Sequence, residues 1–299
     1  MELTIGPNQF FWQADIWREF NRNMAADAPV DRMVLGELVC SKRLPFYQNH
    51  IPEAVEQVQA SGKAVSLTSL ALVTLKRERN LTADLGEMGI EVEINDLTAL
   101  AHIPKGAAFS VGPLVNVYNE GTLAWLAKKG ATRVCLPPEL PLGSVASLAK
   151  AGADLGMIIE VWGYGRLPLA ISGRCYHARL HNRTKDNCQF VCGEDVDGLL
   201  VDTLDDQPIF AMNGVQTLSS TCANAALQID ILRDAGVTAL RLSPHSGNFL
   251  AVCQGFRDLL DGRIDAVGLN AALLSEAPGG AFSDGFLTGK TGADWSGAA

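Results

Sequence analysis

The sequence predicts an α/β protein: a TIM-barrel-like (β/α)8 fold with an inserted cysteine-rich loop and a small antiparallel element. Three observations carry this. Short β-rich runs alternate with helical stretches along most of the chain, a rhythm that calls for parallel strands joined by crossovers. The 299 residues, 47% apolar and 19% charged, suffice for one large buried core. The alternation also breaks once, between Gly163 and about Leu218, and then resumes. The chain therefore reads as a single barrel domain over 1–299 with an insertion over 163–218, an open doubly wound sheet being the runner-up.

In order, Leu3 to Ile5 is a strand ended by Gly6-Pro7, and Phe11 to Met24 has helical spacing. Arg32 to Glu37 is the second strand and runs on into Cys40, and Pro52 to Ser61 is a helix stopped by Gly62. Ala64 to Thr68 predicts a strand, Leu70 to Arg77 a helix, and Ile90 to Ile94 a strand ending in Asn95-Asp96. Strands at Ala107 to Val111, Arg133 to Leu136 and Gly156 to Val161 alternate with helices at Glu120 to Lys129 and Gly143 to Lys150. Within the break, Leu199 to Val201 and Ile209 to Met212 read as a β-hairpin across TLDDQP. Cys222 to Ala235 predicts a helix, Ala239 to Leu242 a strand and Phe249 to Leu260 a helix. The glycine-rich tail from Ala277 reads as irregular or lying over the barrel.

A formal charge of −9 argues against a general nucleic-acid surface, since phosphate binding needs Lys and Arg to release counterions. No apolar run reaches the length of a membrane span, and the first residues show neither a basic leader nor a small-residue cleavage site, so the expected location is the cytoplasm. There, an odd count of seven cysteines points to metal or redox chemistry and away from a disulfide framework.

The strongest chemical signal lies between Gly163 and Cys192. Cys175, Cys188 and Cys192 stand at C-x12-C-x3-C, interleaved with Arg174, His177, Arg179, His181, Arg183 and Lys185. Thiols in so polar and interrupted a run read as ligands held in a loop, whereas cysteines of an apolar core are ordinary packing. Structural zinc and an Fe–S cluster both take four thiolates, and spacing alone leaves both open, with His177 and His181 as substitute zinc ligands. Cys40, Cys135, Cys222 and Cys253 compete for the fourth position; Cys40 and Cys135 follow strands, on the face where barrel sites are built. That face is also expected to gather Glu37, Asn95, Asp96, Asn116, Glu139, Glu160 and His245, which together can orient a polar substrate and move protons. The sequence has no Ser-His-Asp spacing, no H-E-x-x-H, and no G-x-G-x-x-G after the first strand.

MVLGELVCSKR, LPPEL, EVWGYGRLPLAISGRC, NRTKDNCQFVC, MNGVQTLS and RLSPHS, in this order, resemble the collagenase-like peptidase family. The likeness runs from about Thr4 to about Asn270 and is strongest to the branch that serves oxygen-independent ubiquinone biosynthesis. It implies a TIM-barrel-like fold with one [4Fe–4S] cluster held by Cys40, Cys175, Cys188 and Cys192. It also implies a heterodimer with the sister cluster protein UbiU, ring hydroxylation of ubiquinone precursors without O2, prephenate as oxygen donor, and support from the lipid-carrier protein UbiT. In sister branches a cysteine follows the MN-x-x-x-L stretch, whereas here Leu218 precedes Ser219. The family's C-terminal aromatic stretch is replaced by the glycine-rich tail. Other classes are a peptidase, an RNA-modifying hydroxylase or a non-catalytic scaffold for UbiU. Arg174, Arg179 and Arg183 are candidates for gripping a dicarboxylate such as prephenate.

Overall fold

Alternation within each strand sets the architecture: residues one apart point to opposite faces, and here one face is apolar while the other is polar or charged. The computed structural model describes residues 1–297. Seven successive strands, β1 (Glu2–Ile5), β2 (Arg32–Leu35), β3 (Ala64–Thr68), β4 (Glu91–Ile94), β5 (Phe109–Val111), β6 (Ala131–Cys135) and β7 (Ile158–Gly165), pair in sequence order, all parallel. The ring is closed by a strand from much later in the chain, β13 (Ala239–Leu242). It pairs in parallel with β7 on one side and β1 on the other, with Leu240 opposite both Val161 and Leu3. The result is a closed eight-stranded parallel barrel, the fold class expected.

Helices α1 (Ala14–Asp27), α2 (Ile51–Ala60), α3 (Lys76–Glu87), α4 (Glu120–Lys129) and α5 (Leu142–Asp154) fill the early crossovers. Helix α4 shows how local chemistry sets the bounds: the Asn119 side chain accepts the Thr122 amide at 2.8 Å, and Gly130 ends the helix at φ +108°. Between β7 and β13 lie β8 (Pro168–Ile171), the short helix α6 (Tyr176–Leu180), β9 (Leu199–Asp202), β10 (Pro208–Asn213) and β11 (Gln216–Ser219). The four strands form an antiparallel sheet in the order β8-β11-β10-β9, and the TLDDQP hairpin is present as β9–β10. Strand β12 (Cys222–Asn224) then runs antiparallel to the end of β7, and α7 (Ile229–Asp234) leads into β13. Helices α8 (Phe249–Leu260) and α9 (Ala266–Leu273) follow, and β14 (Phe282–Ser283) pairs with β12, so the tail carries a strand. No helix among the described residues is long and apolar enough to cross a membrane.

The apolar core lies between the barrel and its helices, where Leu3, Met33, Val92, Phe109, Val134, Ile159 and Leu240 pack with Trp17, Leu126, Leu148 and Phe256. The inward positions are instead polar. Arg241 bonds Glu160 at 2.5 Å and Glu93 at 3.0 Å, Arg133 bonds Glu160 at 2.9 Å, and Thr4 donates to Glu160 at 3.0 Å. Arg32 reaches Glu91 and Ser110. Glu160, expected at the barrel mouth, is therefore a fully buried member of an interior ion network and is not available to a site.

Two helices were expected in the wrong place. Leu70 to Arg77 is mostly loop, because Glu78 accepts the Thr74 and Leu75 amides at 2.8 and 2.9 Å and so starts α3 at Lys76. Cys222 to Ala235 begins as β12, because pairing with β7 satisfies its backbone where an isolated helical pattern would have to satisfy itself; only Ile229–Asp234 is α-helical. Helix α9 has no counterpart among the expected elements.

Burial pushes the Glu160 carboxyl up, but Arg241 and Arg133 outweigh burial and hold it down at about 2. A group whose folded pKa lies below its unfolded value contributes stability above the unfolded pKa and loses it as pH falls through the folded one. Stability is accordingly expected to decline as pH drops from 4.5 toward about 2. Arg241→Met, which strands the buried Glu93 carboxylate and leaves Glu160 with Arg133 alone, is expected to cost about 3–5 kcal/mol at neutral pH. Urea unfolding across that pH range checks both, and an acid-insensitive wild type would contradict the network's role.

Candidate metal centre

The turn after β2 is organised by one carboxylate. Glu37 is buried; its Oε1 accepts the Val39 and Cys40 amides at 2.7 and 2.9 Å, and its Oε2 accepts the Tyr47 hydroxyl at 2.7 Å. Burial pushes the Glu37 carboxyl up from its usual range, against Arg43 and these donors. The backbone carrying Cys40 is thereby fixed.

The other three cysteines are held by short local turns. Cys175 sits at the N-terminal cap of α6 and its sulfur accepts the Ala178 amide at 3.4 Å. Thr184 caps the 3-10 turn Lys185–Asn187, which delivers Cys188, and the turn Val191–Gly193 delivers Cys192. Between them Gln189 and Phe190 are both left-handed, at φ +49° and +57°, a costly conformation for residues with a Cβ. What over-determines it is the Phe190 ring, packed on Phe46 and Phe11 at centroid distances of 4.7 and 5.8 Å.

These segments enclose one small cavity of about 20 Å³, lined by Cys40, Cys175, Cys188 and Cys192 together with Lys42, Arg43, Lys185, Phe190, Val191 and Gly214. Of the seven cysteines, the remaining three, Cys135, Cys222 and Cys253, are fully buried elsewhere in the fold. Lys42 ties the two loops, donating to the Lys185 carbonyl at 2.5 Å and standing 3.6 Å from Asp186.

Arg43 is the residue that sequence reasoning missed. It is buried, donates to the Gln9 carbonyl at 2.9 Å and Asn213 Oδ1 at 2.8 Å, and lies beside Cys192, Cys40 and Glu37. Burial opposes its charge, yet those three neighbours raise its pKa above the ordinary value, so it is a permanent cation. Burial likewise pushes the Cys40, Cys175 and Cys192 thiols up, with Arg43 acting against it at each. From Arg43 a buried network runs on through Asn213, Gln216 and Gln9 to Ser243 at the barrel mouth. The available signal was Arg43 in CSKR, three residues past Cys40.

The donor set is four thiols around one cationic, partly apolar cavity. A single tetrahedral zinc with Zn–S near 2.3 Å places its sulfurs about 3.8 Å apart. Among the described residues, the group of three or more ligand atoms within 4.8 Å of one another is His177, His181 and Asp195, so no three thiols stand that close. The wider spacing fits a group with separated corners, as an Fe–S cluster has. Such a cluster with four thiolates carries net negative charge, and Arg43, Lys42 and Lys185 are placed to offset it.

Several expected members do not join this site. His177 is buried with its ring between the Met212 carbonyl at 3.1 Å and Asp195 at 2.9 Å, and stacks on His181 at 5.5 Å, neither lining the cavity. Arg174 and Arg179 are exposed, and Arg183 donates to the Cys188 carbonyl at 3.4 Å, so no arginine clamp is formed. Asn95 accepts the Leu114 amide and donates to Thr68 and Glu93, Asp96 accepts the Thr98 amide, Glu139 pairs with Tyr118, and Asn116 ends a turn at φ +55°. His245 packs against Tyr164 and Phe249, and burial lowers its pKa. The polar residues of the mouth are thus spent separately.

Gly214 presses on this arrangement: its φ is +63°, and a Cβ there would meet Arg43 Nη2 at 2.7 Å. Gly214→Ala is expected to displace Arg43, lower stability by about 1–3 kcal/mol and reduce metal bound per chain. Elemental analysis with urea unfolding checks this, and unchanged metal content would refute the role given to Arg43.

Comparison with known proteins adds two findings. One solved structure, an enolase described as a putative galactarate dehydratase from Agrobacterium radiobacter with bound Na and L-malate, aligns at 10% identity and a TM-score of 0.36. The alignment covers 54% of this chain and 44% of that one, so it spans less than half the enolase and supports no statement about activity. The model of peptidase family U32 matches residues 19–297, nearly the whole chain, and the protein belongs to that family.

Proposed function

We propose that the chain is an iron–sulfur subunit of an oxygen-independent hydroxylase for ubiquinone precursors, like the UbiV branch of the family that its motifs resemble. In this reading Cys40, Cys175, Cys188 and Cys192 hold one [4Fe–4S] cluster. The observation that carries it is that these four thiols, 135 positions apart at the first gap and clustered thereafter, line a single cavity with Arg43. The cavity lining holds thiols and cations and, among the described residues, no histidine or carboxylate that would serve a thiol as base.

When bound, such a cluster supplies one-electron chemistry or Lewis acidity at iron. The chain's own residues do the rest. Glu37 holds the Cys40 backbone, and the Cys175 sulfur accepts the Ala178 amide of α6. Arg43 offsets thiolate charge from a buried position, while the Phe190 ring, packed on Phe46, lines one side of the cavity. UbiU is the proposed heterodimer partner, prephenate the oxygen donor, and UbiT a supporting lipid carrier.

Protein purified without air is expected to contain iron and sulfide in about fourfold amounts per chain and to absorb near ~400 nm. Stoichiometric zinc without sulfide would reject the cluster. Cys40→Ala is expected to lose it and Cys222→Ala, at a fully buried position away from the cavity, to keep it. Equal loss in both would refute the ligand set. Co-expression with UbiU should give anaerobic hydroxylation that depends on prephenate. Casein cleavage persisting without the cysteines would favour a peptidase, and salt-sensitive RNA binding an RNA-modifying enzyme.

A further inference from the structure

The histidines that the cysteine cavity leaves aside form a cluster of their own. His177 lies in the first turn of α6 and His181 just past its end, four positions on, so one helical turn brings both imidazoles to the same side. Their rings stack at 5.5 Å, within 6° of parallel. Asp195, eighteen positions after His177, is returned to it by the turn that follows Cys192, and its Oδ2 stands 2.9 Å from His177 Nε2. One donor atom from each of the three lies within 4.8 Å of the other two.

The hydrogen bonds decide which His177 nitrogen faces the cluster as a donor to metal. The Met212 carbonyl, 3.1 Å from His177 Nδ1, can only accept, so Nδ1 carries the proton. A ring with that one proton turns a bare Nε2 toward the Asp195 carboxylate, and two acceptors then face each other. A metal-binding histidine has this form, its outer nitrogen donating to a backbone carbonyl while the inner one holds the ion. A second ring proton would also join His177 to Asp195, but it would leave His181 unused. His181 Nε2 is buried and has no hydrogen-bond partner among the described residues, and an ion engages all three side chains where a proton engages two.

The donor chemistry selects the ion. Two imidazoles and one carboxylate suit zinc and its first-row neighbours, whereas calcium and magnesium take oxygen ligands. H-x3-H is a spacing that zinc sites use, and three protein ligands leave one position for water. Tetrahedral bonds of about 2.0–2.1 Å put donor atoms about 3.3 Å apart, so the set closes with about an ångström or less of adjustment per residue. The placement gives the ion a task. His177 follows Cys175 by two residues and Asp195 follows Cys192 by three, while the His177 amide donates to the Gly214 carbonyl at 3.3 Å.

We propose that His177, His181 and Asp195 bind one zinc-like divalent transition-metal ion, separate from the cysteine cavity, which clamps α6 to the turn after Cys192 and so closes the cysteine loop at its two ends. This assignment does not depend on what the cysteines hold.

The test uses the whole chain purified without air and zinc chloride as probe, in equilibrium dialysis. One zinc per chain is expected with iron and sulfide unchanged, and X-ray absorption should show it bound by nitrogen and oxygen at about 2.0–2.1 Å. Asp195→Asn, which keeps an acceptor beside His177, and His181→Phe, which keeps the stacked ring without a donor, should each weaken that binding at least tenfold. Zinc should raise the urea midpoint of the wild type and of neither variant; where one variant fails to fold, the other decides. No zinc beyond any held by sulfur at about 2.3 Å, or undiminished binding in either folded variant, would overturn the site and leave His177 and Asp195 as a pair joined by a proton.

Discussion

Charge placed inside a closed barrel has no water to turn to, so each inward Arg or Glu of this protein must meet its opposite across the ring. Arg241 concentrates that requirement. It comes from the strand that closes the barrel and is held by Glu93 of β4 and Glu160 of β7, which Arg133 of β6 also grips. Most barrels fill this space with branched apolar layers; here the apolar residues face outward to the helices and the interior is an ion network. Desolvation makes a buried pair a poor source of net stability but makes a broken one expensive. The network therefore acts chiefly on register: a one-residue slip of β13 would put Leu240 or Leu242 inside, leaving Glu93 without its cation and Glu160 with Arg133 alone.

The same logic recurs at the mouth with Arg43. Its guanidinium is as buried as that of Arg241, but its partners are weaker: two oxygens of Gln9 and Asn213, and the neighbourhood of Glu37 and Cys192. A buried cation with only partial compensation favours negative charge nearby, and four thiols line the adjoining space.

Much of the barrel was legible in the chain because period-two alternation and helix-stopping glycines act locally. Ala64–Thr68, Ala239–Leu242, Glu120–Lys129 and Phe249–Leu260 were placed to the residue. The failures were elements whose form depends on distant partners. Cys222–Asn224 has a helix-compatible composition and becomes a strand because the end of β7 offers it a ladder. Helix α3 starts late because the Glu78 side chain claims the amides before it, and its polar run KRERNLTADLGE has little apolar periodicity to announce it. Glu160 looked like a mouth residue because it follows a hydrophobic run; only barrel closure shows that it points at Arg133 and Arg241.

For the candidate site the division is similar. The sequence by itself determined the strand-helix rhythm, the break that houses the small sheet, and a polar loop with three thiols at C-x12-C-x3-C. Those features are local, set by periodicity, turn chemistry and spacing. The family resemblance named Cys40 as their companion, but residue spacing left four cysteines competing; tertiary structure puts Cys40 in their cavity, seals Cys135, Cys222 and Cys253 elsewhere, and sets Arg43 among them. It also decided that the arginines of the loop point away to solvent or to backbone. The physical reason is that chain closure brings together residues more than a hundred positions apart, and no local pattern encodes which of several similar side chains will meet.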